Sequence, residues 1–195
     1  MILEQDLSDT SRYIEPENQY NVYSYEFAKI IVLANTEIES VFKILCKEIS
    51  GENAGNMAEY KKIILTRFPI IISTQVFVPR AKLNLKPYEE WETGHLSWWD
   101  TYQHIKHSRG NHFHEATYKN ALLSLSGLYI LIFYLAKYTE TIFTDYKSEY
   151  ILSQYRRSQL LMGAEKHLPD YGDDMYEKGT IHMFTDNDEI KNIPL

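Results

Sequence analysis

One cysteine, Cys46, stands in 195 residues, so no disulfide can form within the chain. That points to a reducing, cytoplasmic setting. The first ten residues, MILEQDLSDT, carry acids where a secretory signal would carry Lys or Arg ahead of an apolar run. Positive charge is in deficit too. Twenty Lys and Arg against 27 Asp and Glu give a net charge of -7, which excludes the broad basic surface that coats nucleic acid without sequence preference. A local basic site remains open. No apolar run reaches the ~20 residues that a membrane span needs. The longest, residues 121–136, is interrupted by Ser124, Ser126 and Gly127, and reads as a buried central helix of a protein without membrane partners. Also missing are internal repeats, low-complexity tracts, a glycine-rich phosphate loop, a paired-glycine dinucleotide motif and a serine nucleophile elbow.

What the chain does hold is enough apolar mass for one core: 44% hydrophobic residues, with sixteen tyrosines. Its length suits a single domain. Residues 1–18 read as a weakly packed polar leader, 19–162 as the helical domain, and 163–195 as an acidic, turn-rich extension packed on that domain. Within 19–50, Tyr23, Phe27, Ile30, Ala34, Ile38, Val41, Leu45 and Ile49 recur every three or four positions, one stripe of a long amphipathic helix that Gly51 stops. Asn56 with Glu59 predicts a capped second helix ending near Pro69. The β-branched stretch IISTQVFVP reads as extended. Residues 80–94 read as an irregular connection, with Trp91 tucked against the bundle.

Ser97 is expected to cap a helix carrying Trp98, Trp99, Tyr102, Ile105 and Lys106, with a break at Gly110 and Asn111. The next helix, 113–143, places Phe113, Thr117, Asn120 or Ala121, Ser124 and Leu128 on one side, where small residues admit a close neighbour. A last helix is expected over 148–162, with Arg156 and Arg157 near its C-terminal end. The segment YEKGTIHMF suits a small hairpin.

Four of the seven histidines fall between positions 104 and 114, interleaved with Lys106 and Arg109. Three chemistries compete for this cluster. Metal binding would use His104 and His107, three apart on one helical face, with His112 and His114 after the break; the spacing matches no strong zinc signature, so no metal or cofactor is expected. RNA cleavage without metal would use Arg109 and His114. RNA supplies its own nucleophile in the 2′-hydroxyl, imidazole moves protons near neutral pH, and a guanidinium fork suits phosphate oxygens. A structural reading closes Lys106, His107 and Arg109 into a buried network with Glu26, Glu37 or Asp100. The Trp98–Trp99 pair reads as core packing ahead of a base-stacking platform.

An all-helical chain with Arg109, four residues, then His114 at a helix start resembles the HEPN superfamily of small helical domains, many of which are RNases of phage-defence and toxin–antitoxin systems. In this sequence Gly110 follows the arginine and Asn111 comes one place later. The resemblance implies an all-α, single-domain antiparallel bundle with one or two short extended segments. It implies Arg109 as phosphate clamp, His114 as proton shuttle with His107 in support, and RNA contacts from Lys106, Asn111 and Lys119. It also implies a homodimer that joins two copies of the motif in one cleft, and leaves room for a protein partner or antitoxin. The competing expectation is a non-catalytic helical interaction domain.

Overall fold

A computed structural model describes residues 2–15, 18–78, 83–142 and 183–184. Helix α1 spans Ile2–Thr10, α2 Tyr25–Ser50, α3 Met57–Arg67, α4 Ser97–His112 and α5 Tyr118–Ile142; strands are β1 Gln75–Val78, β2 Leu83–Leu85 and β3 Met183–Phe184. The protein is mostly helical, with a small sheet in the order β2-β1-β3.

Local chemistry sets the ends of α2 and α3. Ser24, extended at the N-cap of α2, accepts a hydrogen bond from the Phe27 amide at 3.1 Å. Gly51 ends that helix in the left-handed region at φ 74°, where a side chain would be strained, and its amide donates to Lys47 O. Most of the apolar stripe buries as its spacing predicts: Phe27, Ile30, Ala34, Ile38, Val41 and Leu45 all join the core, whereas Ile49 is half-buried and Tyr23, expected to open the stripe, lies before α2 and is exposed. At α3, Asn56 Oδ1 accepts from the Glu59 amide, but the Glu59 carboxylate turns back to the Gly55 amide and not to Asn56. Cys46 is buried within α2, which pushes its thiol up to about 11 and keeps it protonated at neutral pH.

Four expectations need correction. The leader is not merely polar: α1 buries Leu7 against the core, because Leu3 and Leu7 share a face four residues apart. The stretch 71–79 is only half extended. A 3₁₀ turn, Pro69–Ile72, precedes β1, since proline favours a first helical turn. The supposedly irregular 80–94 contains β2, paired antiparallel to β1 with Val76 opposite Leu85, and a 3₁₀ turn Glu89–Glu92 that buries Trp91. Ser97 is not the N-cap of α4. Leu96 holds that position, and the Ser97 amide and hydroxyl both donate to the Glu90 carboxylate, at 2.5 and 2.9 Å. The helix expected over 148–162 lies outside the described residues, as does most of the YEKGTIHMF segment. Its last two residues form β3 against Gln75 and Val76.

Helix α5 packs along α2 and crosses α4. Between Tyr118 and Leu135 it is long and apolar enough to cross a membrane by length and composition, yet 72% of that window is buried inside the protein. Ser124, on the side its spacing predicts, and Gly127, which that spacing left out, let two different neighbours in. Ser124 meets Asn35 of α2 at 2.9 Å, and Gly127 lies under Trp98 of α4.

Candidate functional site

A strap of backbone positions the site. Residues 20–24, just before α2, run antiparallel to 116–119, just before and into α5. The Tyr118 amide donates to Val22 O at 2.9 Å, Lys119 to Tyr20 O at 3.0 Å, and the Ser24 amide to Ala116 O at 3.2 Å. The strap answers amides that the first turn of α5 leaves without helical partners. It also carries Tyr23 and Tyr25 against the turn after α4. Tyr25 is 71% and Tyr23 53% exposed, and their rings lie 4.5 and 5.6 Å from Phe113. An open depression of about 570 Å³, lined by Asn18 to Tyr23, borders the same flank.

Arg109 sits over this aromatic floor. Its guanidinium carbon is 4.9 Å from the Tyr25 ring centre and 5.8 Å from that of Phe113, within cation–π range. The side chain is exposed, and no carboxylate pairs with it among the described residues. His114, on the 3₁₀ turn Phe113–Glu115, is exposed as well, its ring 6.5 Å from His112.

The break between the two helices comes earlier than glycine chemistry predicts. Ser108 leaves the helical region (φ -148°, ψ 48°), while Gly110 and Asn111 continue the helix, and Asn111 Nδ2 donates to Ser108 Oγ at 3.3 Å. The kink brings together residues that periodicity separates. His104 and His112 stack with ring centres 4.3 Å apart, and their Nδ1 atoms reach the two oxygens of Glu115 at 2.8 and 2.6 Å. His104 thus pairs with His112 and not with His107.

Helical spacing gives no reason to single out Glu115, because a helix that begins at residue 113 makes it one more solvated acid. Partial burial pushes its carboxyl up, but hydrogen bonds from His104 and His112 outweigh that and hold it below the usual range near 4.5. A depressed carboxyl stabilises the fold fully above its unfolded value, and that contribution disappears as pH falls through the lower folded value. Urea denaturation from neutral pH down to acid should therefore show less loss of stability in Glu115→Gln than in the parent chain. An identical pH profile in the two proteins would refute the assignment.

The remaining cations diverge. Lys106 donates to the Tyr102 hydroxyl at 2.9 Å and approaches Glu39 at 3.7 Å, near the middle of α2, whereas Arg109 lies over Tyr25 at its start. The hydrogen bond to Tyr102 outweighs some desolvation and, with help from the charge of Glu39, raises the Lys106 ammonium above its ordinary value. His107 is exposed and makes no hydrogen bond, ion pair or ring contact among the described residues; Lys119 is exposed at the start of α5. The buried network with Glu26, Glu37 or Asp100 does not form: Glu26 pairs with Lys29, Glu37 is exposed, and Lys106 turns to Glu39. These groups stay where water solvates them, which costs less than burying charge. The tryptophans are core, with Trp98 at 1% and Trp99 at 7% exposure.

No protein-family model, curated protein or solved structure matches this chain.

Proposed function

We propose that the protein is a metal-independent endoribonuclease of HEPN type, working as a homodimer in a bacterial defence or toxin–antitoxin setting. One observation carries the reading: among the described residues Arg109 presents a guanidinium free of carboxylates, braced on Tyr25 and Phe113, just ahead of the turn that exposes the imidazole of His114. A buried or ion-paired arginine would already have spent its hydrogen-bonding capacity. This one keeps its donors for the oxygens of a phosphodiester.

In this reading Arg109 stabilises negative charge as it builds on the scissile phosphate. His114 takes the proton from the RNA 2′-hydroxyl as that oxygen attacks phosphorus. The 5′-oxygen leaves and takes a proton from the second imidazole of the dimer cleft, giving a 2′,3′-cyclic phosphate and a free 5′-hydroxyl. Lys119 and Asn111 add donors along the strand, and His107 lies exposed on the same helix as Arg109; Lys106, turned toward Glu39, is left out of this site.

The test is incubation of the purified chain with mixed RNA in EDTA, beside Arg109→Ala and His114→Ala. Cleavage should survive the chelator and fall by about 100-fold or more in each variant, the range expected for losing a charge stabiliser or a proton-transfer group. Absence of cleavage by the parent protein, or cleavage by either variant as fast as the parent's, would overturn the proposal.

A further inference from the structure

Eight residues of unbroken helix rise about 12 Å. His104 and His112 are eight apart, yet their ring centres lie 4.3 Å apart and 29° from parallel, because the chain folds at Ser108. Both Nδ1 atoms face a single carboxylate, and one ligand atom from each of His104, His112 and Glu115 lies within 4.8 Å of the others.

We infer that His104 Nδ1, His112 Nδ1 and a Glu115 carboxylate oxygen form a binding site for a transition-metal ion of the zinc class. Two imidazole nitrogens and one carboxylate are a borderline-soft donor set, suited to zinc and its neighbours and poorly suited to magnesium or calcium, which take oxygen shells. The present N···O separations are hydrogen-bond lengths. Donors around a tetrahedral zinc ion with bonds of ~2.0–2.1 Å lie about 3.3 Å apart. Opening the two N···O pairs by less than about 1 Å, with all three ligand atoms already within 4.8 Å of one another, approaches that spacing and leaves the fourth position to water.

The site is also supported from behind, as metal sites generally are. The Glu115 carbonyl accepts from Asn120 Nδ2 at 2.9 Å and from the Thr117 amide at 2.7 Å, and Asn120 Nδ2 also contacts Thr101 Oγ1 at 3.1 Å. The turn is thereby tied to both α4 and α5 before any ion arrives. Partial exposure of the three side chains, 48%, 33% and 24%, gives an ion direct entry from solvent. Arg109 and His114 are not ligands. Without the ion, the Glu115 hydrogen bonds hold the same turn, so metal binding and chelator-resistant RNA cleavage stand or fall separately.

The experiment uses the full chain, stripped with EDTA and then freed of chelator. Zn²⁺ is titrated by calorimetry near neutral pH and melting curves are recorded with and without it, with Mg²⁺ and Ca²⁺ as controls. The expected result is one saturable Zn²⁺ per chain, a higher melting temperature, and weaker binding in acid as protons compete for imidazole. Glu115→Gln and His112→Ala should each weaken binding on the order of tenfold or more, while His107→Ala and His114→Ala leave it unchanged. Glu115→Gln retains a carbonyl oxygen for one histidine N–H, so a native circular dichroism spectrum certifies its fold. No saturable Zn²⁺ binding, unchanged affinity in natively folded Glu115→Gln and His112→Ala, or equal affinity for Mg²⁺ would each overturn the inference.

Discussion

Trp98→Ala should lower the stability of the protein by about 3–5 kcal/mol, the usual cost of truncating a large buried aromatic. Trp98 is 1% exposed and fills the crossing of α4 with α5. Its indole meets Tyr88 and Trp99 edge-on, with ring centres 5.8 and 6.3 Å away. Its Nε1 donates to Pro87 O at 2.7 Å, so truncation also leaves that carbonyl without its donor. For a domain of this size the loss amounts to roughly 6–20 °C in melting temperature.

A second substitution tests the geometry itself. A Cβ added at Gly127 would sit 3.1 Å from two atoms of the Trp98 ring and 3.4 Å from the Tyr88 hydroxyl, which already donates to Gly127 O at 3.0 Å. The indole, pinned through Nε1, has little room to yield. Replacing a helical glycine by alanine ordinarily gains about 1 kcal/mol. At Gly127 that gain should be cancelled or reversed in the parent protein and restored in the Trp98→Ala background. Thermal melts of the four proteins measure the coupling. Equal effects of Gly127→Ala in both backgrounds would place Trp98 elsewhere.

Asn35→Asp should be nearly as damaging at neutral pH. Asn35 is fully buried in the middle of α2, and its Nδ2 donates to Ile31 O at 2.8 Å and to Ser124 Oγ of α5 at 2.9 Å. Aspartate exchanges those donors for a charge that faces a carbonyl, with no cation in reach among the described residues. Uncompensated buried charge costs about 3–5 kcal/mol. Burial raises the folded pKa of such a carboxyl, so the folded state binds more protons than the unfolded chain. Relative to the parent, the variant should therefore lose stability as pH rises from about 4, the unfolded value, and level off above its raised folded value. Urea midpoints across that range check the sign. Replacing both partners, in Asn35→Leu with Ser124→Ala, should be close to neutral, since no donor or acceptor is then stranded. A flat pH profile for Asn35→Asp would show that water reaches the α2–α5 seam.

Much of this fold is legible along the chain because the forces that set it are local. The stripe from Phe27 to Leu45, the stop at Gly51 and the cap at Asn56 all act within one or two helical turns. Burial of the 121–135 stretch follows from the same periodicity, and the small residues Ser124 and Gly127 mark where neighbours approach. The polar cluster was legible in content but not in arrangement. Lys106 and Arg109 are three apart, yet one leans toward Glu39 and the other onto Tyr25. Glycine propensity placed the break at Gly110, whereas the non-helical residue is Ser108 and the strap between residues 20–24 and 116–119 ties down the chain beyond it. Tyr23 fell in step with the buried stripe yet stands exposed ahead of α2, and Tyr25 gave no signal of its own among sixteen tyrosines.

The order of residues by itself determined that α2 to α5 coil into helices, where α2 stops, where α3 begins and ends, and which faces turn inward, since those depend on neighbours a few positions away. Only the tertiary structure decided that a guanidinium from α4 rests on a ring at the start of α2, and that His104, His112 and Glu115 converge. Those meetings depend on contacts between segments far apart in sequence and on one non-helical residue, neither of which any local pattern of side chains specifies.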